Sequence, residues 1–175
     1  MRCRRDTYEY SNIKKTIETY GEEPQIRQCM EECAELISEI VDYSEDNETR
    51  IDNILEEMAD VLITCKQVEI IIKEKVLDPG EIETENLYMG KSFICNLVIK
   101  HLADLIKVLN KYLRGKKVQN EISYQISGLI IRFDIFANLL EMNGDIDVEK
   151  QINKQIKCKL NRLKERLNIN EKLSE

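Results

Sequence analysis

Apolar residues recur at three- and four-residue steps along almost the whole chain, as in Ile26, Cys29, Cys33, Leu36, Ile37 and Ile40, and again in Ile51, Ile54, Leu55, Met58, Val61, Leu62, Cys65, Val68 and Ile72. That is the period of a helix with one buried stripe. Few stretches alternate with the period of two that a half-buried strand requires. Six glycines, two prolines and no tryptophan leave few breakpoints in 175 residues. The expected fold is therefore all-α, a helical bundle of about five to six helices.

The breakpoints place those helices. A short first helix is expected from about Thr7 to Tyr20, with Gly21 ending it. Pro24 suits the first turn of the second helix, where a missing N–H costs nothing and Glu22 and Glu23 complement the dipole. This helix should run to about Tyr43. The polar turn from Ser44 to Thr49 is short, so the third helix, about Thr49 to Lys75, is expected to return antiparallel to the second. Leu77 to Asn86, containing Asp78-Pro79-Gly80, reads as the one internal linker. Three further helices are expected at about Leu87 to Arg114, Gln119 to Met142 and Asp147 to Leu167. Asp145 or Asp147 is available to cap the last, and its final residues are expected to fray. The division that follows is residues 1–86 and residues 87–175, packed as one compact domain.

Composition excludes several classes. No apolar run reaches the roughly 18 to 20 residues of a membrane span. The basic start, Met1-Arg2-Cys3-Arg4-Arg5, is not followed by an apolar signal region, and a cytoplasmic location is the expectation. The six cysteines (Cys3, Cys29, Cys33, Cys65, Cys95, Cys158) form no CxxC pair, and with His101 as the lone histidine they read as reduced core residues. Gly90-Lys91-Ser92 lacks the leading glycine of a phosphate-binding loop, position 85 being Glu85.

Charge is divided along the chain. Glu22 to Ile72 holds 15 acidic against 3 basic residues, whereas Lys91 to Asn168 holds 8 acidic against 15 basic. The basic residues are interleaved with apolar ones at helical spacing. This fits a cationic surface completing a site for a polyanion at least as well as a nucleic-acid tail, and with few aromatics and an acidic front half a nucleic-acid partner is not expected.

The acids themselves are patterned. Residues three apart on a helix lie about 60° apart around its axis, so Glu32 with Glu35, and Glu57 with Asp60, each form a carboxylate pair on one face. Two such pairs facing each other would cage a hard metal ion. The same acids would serve equally as the solvated faces of amphipathic helices.

The string Tyr20-Gly21, Gln25, Gln28, Glu31-Glu32-Cys33-Ala34-Glu35-Leu36, followed by Glu57-Met58-Ala59-Asp60-Val61-Leu62, resembles the MazG-like nucleoside triphosphate pyrophosphohydrolases, whose signature is EExxE and then ExxD on two antiparallel helices. The likeness covers roughly residues 20 to 72 and extends to the related all-α dimeric dUTPases. It implies an enzyme that uses Mg²⁺, with Mn²⁺ as a substitute, to cleave a nucleoside triphosphate between the α and β phosphates, giving the monophosphate and pyrophosphate. It also implies metal ligation by Glu32, Glu35, Glu57 and Asp60, with Glu31 orienting water. Gln28, one turn before Glu32, and Gln25 beyond it are candidates for the sugar or base.

The second half reads as a faded copy. Laying His101-Leu102-Ala103-Asp104-Leu105-Ile106 over Glu32-Cys33-Ala34-Glu35-Leu36-Ile37 aligns the apolar frames. In this register Lys100 replaces Glu31, His101 replaces Glu32, Gln125 replaces Glu57 and Gly128 replaces Asp60, leaving only Asp104. Two tandem hairpins are expected, the second degenerate and without a metal site. The last helix carries Lys159 and Arg162, a pair similar to the phosphate-holding Lys and Arg of the family, and Arg suits bidentate phosphate contact. One hydrolytic site per chain is the expectation, with a homodimer or higher oligomer left open. The alternative is a catalytically inactive helical module that binds nucleotides or another protein.

Overall fold

The computed structural model describes residues 7–45, 51–74, 90–143 and 146–174. It contains six helices: α1 (Thr7–Tyr20), α2 (Glu22–Ser44), α3 (Ile51–Ile72), α4 (Lys91–Leu113), α5 (Gln119–Asn143) and α6 (Val148–Ser174). No strand occurs among the described residues. The turn between α2 and α3 and the expected linker fall largely or wholly outside the described residues, as does Cys3. The sixth helix continues to Ser174 instead of fraying near Leu167.

Local sequence explains the boundaries. Asp147 caps α6: its Oδ1 accepts the Lys150 N–H at 2.9 Å, while Glu141 Oε1 from the end of α5 accepts the Val148 N–H at 3.0 Å. Two donors with no partner inside the helix are thereby satisfied. At the end of α4, Gly115 adopts φ 77°. This lets its N–H reach the Tyr112 carbonyl at 2.8 Å and the Lys116 N–H reach the Lys111 carbonyl at 3.1 Å. These two bonds close the helix in the left-handed manner glycine favours. Gly90 precedes α4 as its N-cap.

Helix α2 packs against both α3 and α4, α4 packs against α5, and α6 lies along α3 and α1. A continuous apolar core runs from Ile13 in α1 to Leu160 in α6. Its largest fully buried side chains include Leu36, Leu55, Met58, Leu102, Phe133 and Phe136. Each stabilises the fold by about 1.5–3 kcal/mol through area removed from water. Where the hairpins meet, Tyr43 packs edge-on against Phe136, ring centroids 6.1 Å apart, and Lys91 Nζ sits 4.2 Å above the Tyr43 ring. Cys29, Cys33, Cys65 and Cys95 are buried free thiols, and Cys158 is exposed. Tyr20, at the end of α1, is 40% exposed.

No described helix is long and apolar enough to cross a membrane.

Candidate metal centre

The apolar stripe of α2 faces α3, and Glu32 and Glu35 flank that stripe at its edge. From α3, Glu57 and Asp60 flank the corresponding edge. Burial of Cys29, Cys33 and Leu36 against Met58, Val61 and Cys65 therefore fixes the height at which the carboxylates meet. Carboxylate oxygens of Glu32, Glu35 and Glu57 lie within 4.8 Å of one another. Glu35 is exposed, while Glu32 and Glu57 are half-buried.

Electrostatics at this point are adverse for the protein alone. Burial, then the charge of Asp60, pushes Glu32 up to about 7. Burial, followed by Asp60 and Glu35, does the same for Glu57, also to about 7. Gln28 Nε2 donates to Glu32 Oε1 at 3.3 Å and partly relieves it. Glu57 Oε2 is buried without a hydrogen-bond partner. Buried carboxylate oxygens normally accept at least one bond. A divalent cation bound by hard oxygens would satisfy both the crowded charge and the orphaned oxygen, so the residues present fit Mg²⁺.

The fourth acid of the expected set is placed differently. Asp60 stands close enough to raise its neighbours, yet its own carboxylate takes an ion pair from Lys159 of α6. It does not belong to the close trio. Lys159 Nζ also donates to Glu56 Oε1 at 3.1 Å. Burial pulls the Lys159 ammonium down, but Asp60 and Glu56 more than offset this, and its pKa is raised overall. Glu56 lies outside both the EExxE and the ExxD patterns. The available signal was its i,i+4 spacing to Asp60, which sets the two one turn apart on the same face.

The other candidates divide. Gln28 is exposed beside Glu32, but Gln25 is 4% exposed and has an unpartnered Oε1. It lies four residues before Cys29, so it follows the buried stripe and does not continue the outer line through Gln28 and Glu32. Glu31 points outward and is exposed, and Arg162, three residues beyond Lys159, is also exposed. Beneath the acids, Cys33 and Cys65 sit against Cys29, and that contact together with burial holds both thiols well above their usual range.

Where α4 meets α5, an imidazole is buried. His101 is 9% exposed and contacts the Gln125 backbone, and it lies against Gly128. Burial and then the Arg132 charge push it down to about 4, so it is neutral. Asp104 is held down to about 2 by Lys100 and Lys107, which bond it at 2.8 and 2.9 Å. With Asp104 so paired, the α4–α5 pair offers no carboxylate cluster among the described residues.

No known protein family, curated protein or solved structure matches the chain.

Proposed function

We propose that the chain is a Mg²⁺-dependent nucleoside triphosphate pyrophosphohydrolase of the MazG-like kind, cleaving between the α and β phosphates. The observation that carries this reading is the convergence of Glu32, Glu35 and Glu57, with Asp60 beside them, on two antiparallel helices. These residues would hold the metal, which when bound neutralises phosphate charge and makes water a better nucleophile at neutral pH. Gln28 holds Glu32 in orientation. By the same resemblance, Glu31, exposed on α2, would orient the attacking water. Lys159 supplies positive charge on the α6 side, where a triphosphate would approach, and exposed Arg162 extends that charge along the helix. Mn²⁺ would substitute for Mg²⁺, and the role would lie in cytoplasmic nucleotide metabolism.

Lys159 also gives a specific ground for a second reading. A cation of the chain itself already neutralises Asp60, as it would in a helical module that binds nucleotide or protein without turnover.

The test is a panel of ribo- and deoxyribonucleoside triphosphates, dUTP included, incubated with Mg²⁺ while pyrophosphate and phosphate are detected separately. The hydrolase releases pyrophosphate and no phosphate, and loses activity in Glu35→Gln and Asp60→Asn. Full activity in both variants overturns the assignment. Binding of a nonhydrolysable triphosphate without turnover of any substrate establishes the second reading.

A further inference from the structure

Lys159 differs from its neighbours on α6. Lys150, Lys154 and Lys157 are exposed, as most lysines are, whereas the Lys159 side chain is 17% exposed and its ammonium is turned into the acid cluster. It bonds two carboxylates one turn apart on α3. Asp60, the inner one, is 22% exposed in its side chain, and Glu56, the outer one, is 47% exposed. Among the trio, Glu32 and Glu57 feel the Lys159 charge, which lowers both, but Lys159 bonds neither of them.

We propose that Lys159 is a resident counter-cation that competes with the divalent metal for Asp60. On metal entry it yields Asp60 and stays on Glu56. This rests on the metal-centre reading above. An ammonium and a divalent ion cannot both sit on one carboxylate without strong repulsion, because two like charges about 4 Å apart oppose each other appreciably even at the intermediate dielectric of a protein surface. Lysine is suited to the exchange: its four-carbon stem is flexible and its charge is a point with three rotatable donors. Glu56, further out and more exposed, keeps the ammonium paired after Asp60 turns to the metal. In the metal-free protein the arrangement relieves one of the crowded acids, and in the loaded protein it leaves a cation one turn from the metal. The consequence is that Lys159 weakens metal binding while keeping the empty cluster tolerable.

Two measurements test this without relying on turnover. Mn²⁺ binding is titrated by electron paramagnetic resonance for the wild-type chain, Lys159→Met and Glu57→Gln, each verified as helical by circular dichroism. Acetylation of Lys159 by a small anhydride is followed by mass spectrometry with and without Mg²⁺. Removing one positive charge at this distance is expected to tighten Mn²⁺ binding in Lys159→Met by about tenfold or more. Mg²⁺ is expected to accelerate Lys159 acetylation several-fold by freeing it from Asp60, an effect that also reads out in the unaltered protein should Lys159→Met fail to fold. Equal or weaker Mn²⁺ binding in a folded Lys159→Met, or acetylation of Lys159 indifferent to Mg²⁺ in a protein that binds the metal, overturns the competition alone. Absence of Mn²⁺ binding in every chain overturns the metal centre and the competition with it.

Discussion

His101 occupies the space that a side chain at position 128 would need. A Cβ there would stand 2.9 Å from His101 Cε1 and closer still to Nε2. The imidazole of α4 thus holds position 128 of α5 to a bare backbone. Gly128→Ala is expected to destabilise the fold. The roughly 1 kcal/mol gained in helix propensity is outweighed by overpacking of about 1–3 kcal/mol. Combining it with His101→Ala should recover part of the loss relative to the sum of the single variants, since each change relieves the other. Urea denaturation of the two single variants and the double variant measures this coupling, and strict additivity would show that the ring does not press on residue 128.

The metal-free protein should lose stability as pH rises. Glu32 and Glu57 are raised to about 7 from an ordinary 4.5, so folding favours their protonated forms. That contribution is complete below the unfolded value near 4.5 and disappears as pH climbs through about 7. Melting temperature in chelator should therefore fall between about pH 5 and pH 8, and Mg²⁺ should raise it at the upper end while doing little at the lower, where protons occupy the ligands. A melting temperature flat across this range in chelator would contradict the crowding of these two acids.

Glu57→Gln separates charge from shape. The amide preserves the volume of the side chain and removes a negative charge that Asp60 and Glu35 oppose. The variant should melt higher than the wild type in chelator at pH 8 and lose its thermal response to Mg²⁺. Pyrophosphate release should drop by at least about 100-fold, the upper range for losing a residue that merely supports a metal ligand. Thermal melts with and without Mg²⁺, beside the release assay, check all three.

Asp147→Ala tests the start of α6. Loss of the bond to the Lys150 N–H should cost about 1 kcal/mol, or roughly 2–4 °C in melting temperature for a chain of this size. Because the neighbouring Val148 N–H stays bonded to Glu141, the helix should persist, and the circular dichroism signal at low temperature should be unchanged.

The bundle was legible in the sequence because every helix carries a stripe that must be buried, and Gly21, Pro24 and the polar turns leave few alternative boundaries. The trio of Glu32, Glu35 and Glu57 was legible for the same reason: a stripe fixes the face, and the face fixes the neighbouring acids. Asp60 was harder to place. Its spacing from Glu57 is right, but its partner lies on a helix whose rotation depends on packing against α3 and α1, which no local pattern encodes. Gln25 shows the converse error. Counting turns from Gln28 extends an outer line, whereas the helix angle carries position 25 toward Cys29 and the interior. The end of α6 was misjudged because the largely polar stretch from Asn168 to Ser174 has no glycine or proline and so gives no local stop signal.

The ion pair between Lys159 and Asp60 joins residues 99 positions apart, and the bond to Glu56 spans 103. The carboxylates are assembled by a local hairpin, but their counter-charge arrives only when the last helix docks. Closing a loop of that length costs chain entropy that the hairpin itself never meets, so the charge that offsets Asp60 and Glu56 depends on the docking of α6, and a chain lacking that helix would keep the acids and lose their counter-charge.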